Sequence, residues 1–115
     1  MRILVVDDSQ EWCHLYLESF KEAGFDVEVF SSLSEAKEAK GPFDVYVVDS
    51  YIDVSAGKPI FEGPPPDGVI WARELAGSGR KVVLCSWEVF QINGIRYVPK
   101  DEHTHQELVS LLERI

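Results

Sequence analysis

Ile3-Leu4-Val5-Val6-Asp7-Asp8 is the stretch from which the fold is read. Four consecutive apolar residues, three of them β-branched, leave no polar face, as in a parallel strand buried on both sides. Val27-Glu28-Val29-Phe30, Val45-Tyr46-Val47-Val48, Val82-Val83-Leu84-Cys85 and Ile95-Arg96-Tyr97-Val98 read as four further strands, the third strand of the chain ending on Asp49. Helical patterns fill the spaces between them. Asp8 and Glu11 form a capping-box pair before Trp12, Leu15, Tyr16, Phe20 and Ala23, and Gly24 closes that helix. Ser32 and Glu35 open a short helix that stops at Gly41-Pro42. A third helix is predicted from Asp67 to Ala76, ended by Gly77 and Gly79, and Thr104 with Glu107 caps a last one whose inner face carries Leu108, Leu111, Leu112 and Ile115. Five strands alternating with helices predict an α/β fold, a doubly wound five-stranded parallel sheet with right-handed crossovers. Five units are too few to close an eight-stranded barrel.

The 115 residues are read as one domain, 1–115, long enough to form a core without disulfides. Twenty acidic residues against eleven basic ones give a formal charge of -9, which disfavours direct nucleic-acid binding and suits a carboxylate cluster needing a cation. The chain opens on no secretory leader pattern, and no apolar run approaches the length of a membrane span. With only Cys13 and Cys85, both read as core thiols, a reduced cytoplasmic domain is expected. The segment 53–66 holds two glycines and four prolines and fits no regular element. It is read as a surface loop with extended polyproline character, its prolines a rigid spacer, and Asp53 and Glu62 within it as solvated.

Ligands of open parallel sheets bind at the carboxyl ends of the strands. The residues there are Asp7, Asp8, Ser31, Asp49, Ser86 and Pro99-Lys100. Three carboxylates brought together repel one another unless a cation joins them, and hard oxygen ligands favour Mg²⁺ or Mn²⁺. With a lysine and a hydroxyl beside them, such a group suits phosphoryl transfer with Asp49 as nucleophile.

The residues Ile3-Leu4-Val5-Val6-Asp7-Asp8, Val47-Val48-Asp49, Leu84-Cys85-Ser86 and Tyr97-Val98-Pro99-Lys100, in this order, resemble a response-regulator receiver domain of two-component signalling over nearly the whole chain. The resemblance implies a flavodoxin-like three-layer sandwich with strand order 2-1-3-4-5. It implies that a sensor histidine kinase, or a phosphotransfer protein, donates a phosphoryl group to Asp49. Asp8 and Asp49 would hold Mg²⁺ directly, Asp7 mostly through water, and Tyr51 through its backbone carbonyl. Ser86 and Lys100 would hold the phosphoryl oxygens, and Tyr97 stands where the family has its rotating switch aromatic. Tyr51, Trp87 and Glu88 would border the approach of water to the phosphoryl group. No enzyme activity is expected beyond the domain's own phosphotransfer and dephosphorylation.

The sequence departs from the family's pattern in several places. Asp67-Gly68, the expected opening of the third helix, lies 18 residues beyond Asp49, so that about ten residues are inserted. The usually small position after the switch hydroxyl is Trp87, and 87–92 leaves room for at most about two turns of a fourth helix. Asp101 follows Lys100, so the family's cis peptide is not expected. Output is therefore expected through the inserted loop rather than the usual face, by contact with a downstream protein or by homodimer formation. A degenerate receiver acting as a phosphorylation-independent interaction module is the alternative. A phosphohydrolase with an aspartate nucleophile is disfavoured, because its second aspartate, two positions on, is here Tyr51. His14, His103 and His105 read as surface residues.

Overall fold

The computed structural model describes residues 1–50, 66–87, 92 and 94–115. The expected insertion therefore lies outside the described residues except for Pro66, as do Tyr51, Glu88 and most of the expected fourth helix. Five parallel strands, β1 (Arg2–Val6), β2 (Asp26–Phe30), β3 (Val45–Asp49), β4 (Val82–Ser86) and β5 (Arg96–Pro99), form one sheet in the order β2-β1-β3-β4-β5. This is the order that the resemblance implies. Residues of β1, β3 and β4 are almost all buried, whereas β2 and β5 at the edges carry half-exposed positions. The continuous apolar runs thus occupy the centre, where both faces are covered.

Alternate residues of each strand face opposite layers. Ile3, Val5, Val45, Val47, Val83 and Cys85 pack against Tyr16 and Phe20 of α1 (Gln10–Glu22) and Leu108, Leu111 and Leu112 of α4 (Thr104–Arg114). Leu4, Val6, Tyr46, Val48, Val82 and Leu84 pack against Leu33 and Ala36 of α2 (Leu33–Glu38) and Trp71 and Ala72 of α3 (Asp67–Gly77). The result is a three-layer sandwich, in which each fully buried large apolar side chain contributes about 1.5–3 kcal/mol.

Two caps differ from expectation. Ser9, not Asp8, caps α1: its hydroxyl accepts from Trp12 N–H at 3.4 Å, while Ser9 N–H donates to Asp7 Oδ1 at 2.9 Å. The chain is still extended at Ser9 (φ -86°, ψ 117°), so the helix starts one residue later than the pair Asp8/Glu11 requires. Thr104 is the first helical residue of α4 rather than its cap. Its hydroxyl instead accepts from Asp101 N–H at 2.6 Å and lies 2.7 Å from the Pro99 carbonyl, to which it donates. Ser32 caps α2 as expected, accepting from Glu35 N–H at 3.3 Å.

Candidate functional site

Sheet register sets the site. Val6 lies opposite Val48, Asp49 opposite Cys85, and Ser86 opposite Pro99. Each chemistry-bearing residue therefore stands at a strand's carboxyl end or within two residues past it, all at the same end of the sheet. The carboxylates of Asp7, Asp8 and Asp49 each offer an oxygen within 4.8 Å of the others. Asp7 is fully buried, Asp49 is nearly so, and Asp8 faces solvent.

The buried ammonium of Lys100 enters the same cluster. Its Nζ lies 2.7 Å from Asp7 Oδ2 and 3.5 Å from Asp49 Oδ2. Burial pushes the Lys100 pKa down. The hydrogen bond to Asp7 and the charges of Asp49 and Asp7 outweigh it and leave the pKa raised. Lysine is thus held as a cation, and the stability this pairing contributes is present below the ordinary lysine range and is lost as pH climbs through the raised value. Among the described residues, three carboxylates and one ammonium give this cluster a formal charge of two negative units, the charge of one divalent ion. The donor set is all oxygen and carboxylate, which fits Mg²⁺ or Mn²⁺.

The first turn of α3 abuts the end of β3. A Cβ on Gly68 would overlap the Asp49 carbonyl and lie 2.8 Å from the Ser50 carbonyl. Only glycine permits this approach, which sets the amino end of α3 against the residue that carries the third carboxylate.

Ser86 is fully buried at the end of β4, and its carbonyl accepts from Lys100 N–H at 2.8 Å and from the Tyr97 hydroxyl at 3.0 Å. The Tyr97 ring, half-buried, packs on the α2/α3 layer. Trp87 is 67% exposed, with its ring edge-on to Trp12 at a centroid distance of 5.8 Å. Trp12 in turn lies 5.2 Å from the Lys100 ammonium, within cation–π range. Trp87 therefore reaches the rim of the site edge-on through Trp12, and Tyr51 and Glu88 lie outside the described residues.

Sequence reasoning treated α1 as support, yet it supplies three residues to the site: Trp12, Cys13 and Tyr16. The Cys13 thiol donates to the Asp7 carbonyl at 3.0 Å. The Tyr16 hydroxyl lies 3.3 Å from Asp7 Oδ2 and 3.3 Å from Cys85 Sγ. A buried tyrosine needs a hydrogen-bond partner for its hydroxyl, and that requirement was the available signal. His105, expected on the surface, is half-buried between α1 and α4, its ring 5.2 Å from Trp12 and 5.9 Å from Tyr16. Burial holds its pKa below the usual histidine range. Both thiols are protonated at neutral pH: burial and then the Asp7 charge push Cys13 up to about 11, and burial pushes Cys85 up to about 12. Burial, with the nearby Cys85 and Asp7, also raises the Tyr16 hydroxyl far above its ordinary value. Accordingly, iodoacetamide at pH 8 should label neither cysteine of the folded chain within an hour and both in denaturant. Rapid native labelling of Cys13 would contradict the raised value.

No family model matches the chain, and no curated protein matches it in sequence. Solved structures do. The response regulator DrrB of Thermotoga maritima, an OmpR/PhoB homologue, superposes with a TM-score of 0.76 at 18% identity over 98% of this chain. The fold is that of a response-regulator receiver domain. The present chain spans about half (51%) of DrrB. The receiver domain of Francisella response regulator 1452 gives a TM-score of 0.76 at 21% identity, covering 98% of this chain and 93% of that one. The response regulator TrrA of Thermotoga maritima, solved in complex with Mg²⁺-BeF, gives 0.75 at 23% identity, covering 98% and 96%. Among the described residues no helix is long and apolar enough to cross a membrane.

Proposed function

We propose that the chain is a phosphoacceptor receiver that takes a phosphoryl group from the phosphohistidine of a sensor histidine kinase, or from a phosphotransfer protein, onto Asp49. The observation that carries this reading is the joint placement of Asp7, Asp8 and Asp49 within 4.8 Å, with Lys100 between two of them. The receiver fold and the Mg²⁺-BeF complex of TrrA support it. In the reaction an Asp49 carboxylate oxygen attacks phosphorus, the bond from phosphorus to the donor breaks, and the donor's nitrogen leaves with the electron pair. Lys100 would shift from the carboxylates toward a phosphoryl oxygen, and the Ser86 hydroxyl would donate to another. Asp7, Asp8 and Asp49, with the Tyr51 carbonyl, would hold Mg²⁺, or Mn²⁺ in its place. When bound, that ion neutralises the carboxylates and stabilises negative charge on the phosphoryl group. Tyr97 would read the state of Ser86 through its bond to the Ser86 carbonyl. The chain catalyses only its own phosphotransfer and dephosphorylation, acts in the cytoplasm, and signals by protein–protein contact.

Acetyl phosphate with Mg²⁺ should add one phosphoryl group per chain, read by intact mass. No uptake under any divalent cation would favour the phosphorylation-independent interaction module.

The lifetime of the phosphoryl group depends on water reaching it in line with the Asp49 oxygen. Large rings over that path exclude water, whereas Glu88 would orient it, an effect of up to about 10²-fold. Exclusion is expected to dominate. Trp87→Ala and Tyr51→Asn should each lose phosphate several-fold faster, as measured by the decay of the phosphorylated mass. Unchanged or slower loss in both variants would mean that the rings do not guard the site.

A further inference from the structure

Asp7 Oδ2 is contacted by two donors. The Lys100 ammonium reaches it at 2.7 Å from the end of β5, and the Tyr16 hydroxyl at 3.3 Å from within the core. Oδ1 accepts from Ser9 N–H at 2.9 Å, so the carboxylate is held at both oxygens. Tyr16 has one hydroxyl proton and two neighbours, Asp7 Oδ2 and Cys85 Sγ, each at 3.3 Å. A carboxylate is a far stronger acceptor than a thiol sulfur, so the proton goes to Asp7 and the Cys85 S–H points back at the Tyr16 oxygen. Donation thereby runs from Cys85 through Tyr16 to Asp7, where it meets the Lys100 ammonium as a second donor to the same oxygen.

We propose that Tyr16 is a positioning residue that governs how tightly Asp7 holds Lys100. Each donor on a carboxylate withdraws charge from it and weakens its grip on the next. With Tyr16 donating, Asp7 leaves the ammonium loose enough to be shared with Asp49, 3.5 Å away. Without that donor, Asp7 keeps Lys100 to itself, and the ammonium is slower to reach a phosphoryl group on Asp49. The last consequence rests on the receiver reading; the hold of Asp7 on Lys100 does not.

The test is Tyr16→Phe, which keeps the buried ring and removes only the oxygen. In the metal-free full chain, exchange of the Lys100 ammonium protons, followed by nitrogen-15 NMR, should slow by roughly three- to tenfold, the scale of one ordinary hydrogen bond. Phosphorylation by acetyl phosphate should slow by a similar factor. Site-specific 3,5-difluorotyrosine at position 16, a stronger donor, should move ammonium exchange the other way and also covers the case in which Tyr16→Phe folds poorly. Cys85→Val, which leaves the bond to Asp7 in place, should lie near the unsubstituted chain. A structural ring alone would leave exchange unchanged in the phenylalanine and difluorotyrosine forms, and that result overturns the assignment, as does faster exchange in Tyr16→Phe. Slowed exchange in a chain that never takes phosphate would uphold the role of Tyr16 and remove the receiver reading instead.

Discussion

Asp49→Asn should take up no phosphoryl group from acetyl phosphate and Mg²⁺, and it should melt no lower than the unsubstituted chain. The first half follows from chemistry. An amide oxygen carries no full charge and cannot displace the donor as a carboxylate does. Uptake should fall to the mass-spectrometric background, and a stoichiometric adduct surviving in the Asn variant would remove Asp49 from the nucleophile's role. The second half follows from the crowding of the site. Asp7 and Asp49 are buried beside each other and Asp8, with one ammonium among them. Without a divalent ion, neutralising Asp49 relieves repulsion, while Lys100 keeps its closer partner, Asp7, at 2.7 Å. The gain should be about 0.5–2 kcal/mol at low salt, smaller than the penalty for stranding a buried charge. Added Mg²⁺ should reverse the order of the two melting curves, because the unsubstituted chain binds the ion better.

Gly68→Ala should be the most damaging single methyl group in the described part of the chain. The new Cβ would overlap the Asp49 carbonyl and crowd the Ser50 carbonyl at 2.8 Å, and both are backbone atoms of a central strand's end. Neither can swing aside as a side chain would, so either α3 lifts off the sheet or the end of β3 bends. A loss of about 3 kcal/mol or more is expected, at the upper end of overpacking effects. The variant should also phosphorylate slowly even below its melting temperature, because the displaced backbone carries the Asp49 carboxylate. Gly77→Ala is the matched control: nothing lies within 4 Å of its added methyl group, and alanine is the better helix former by about 1 kcal/mol. Equal stability of the two variants would show that α3 does not depend on close approach to Asp49.

The sheet was legible because β1, β3 and β4 are covered on both faces, which forces continuous apolar runs. Asp7 and Asp49 were legible because a polar residue directly after such a run must stand at the strand's carboxyl end, whereas Asp8 and Lys100, the latter after the edge strand β5, were legible only as members of the set. The start of α1 was not. Asp7, Asp8 and Ser9 can all cap a helix, and only the backbone angles of Ser9 decide among them. Tyr16 was hidden by its own spacing, since helical periodicity assigns a ring to the core without saying where its hydroxyl ends. His105 and Thr104 were misplaced for the converse reason. Both are polar by composition, and both are drawn inward by contacts that helical spacing does not show: Trp12, distant in sequence, for His105, and the Pro99 carbonyl, five residues back, for Thr104.

The inner face of α1 has a consequence for how this sequence can change over generations. Trp12 and Tyr16 stand one helical turn apart, and both serve the packing and the charged centre at once. A residue that only filled space could drift among large apolar side chains at little cost. Here, exchanging tyrosine for leucine or phenylalanine changes the environment of a carboxylate, and exchanging Trp12 removes a ring from the lysine. The interior of this protein cannot be rewritten separately from its charged centre, and compensating substitutions should be sought in pairs that join α1 to the end of β5.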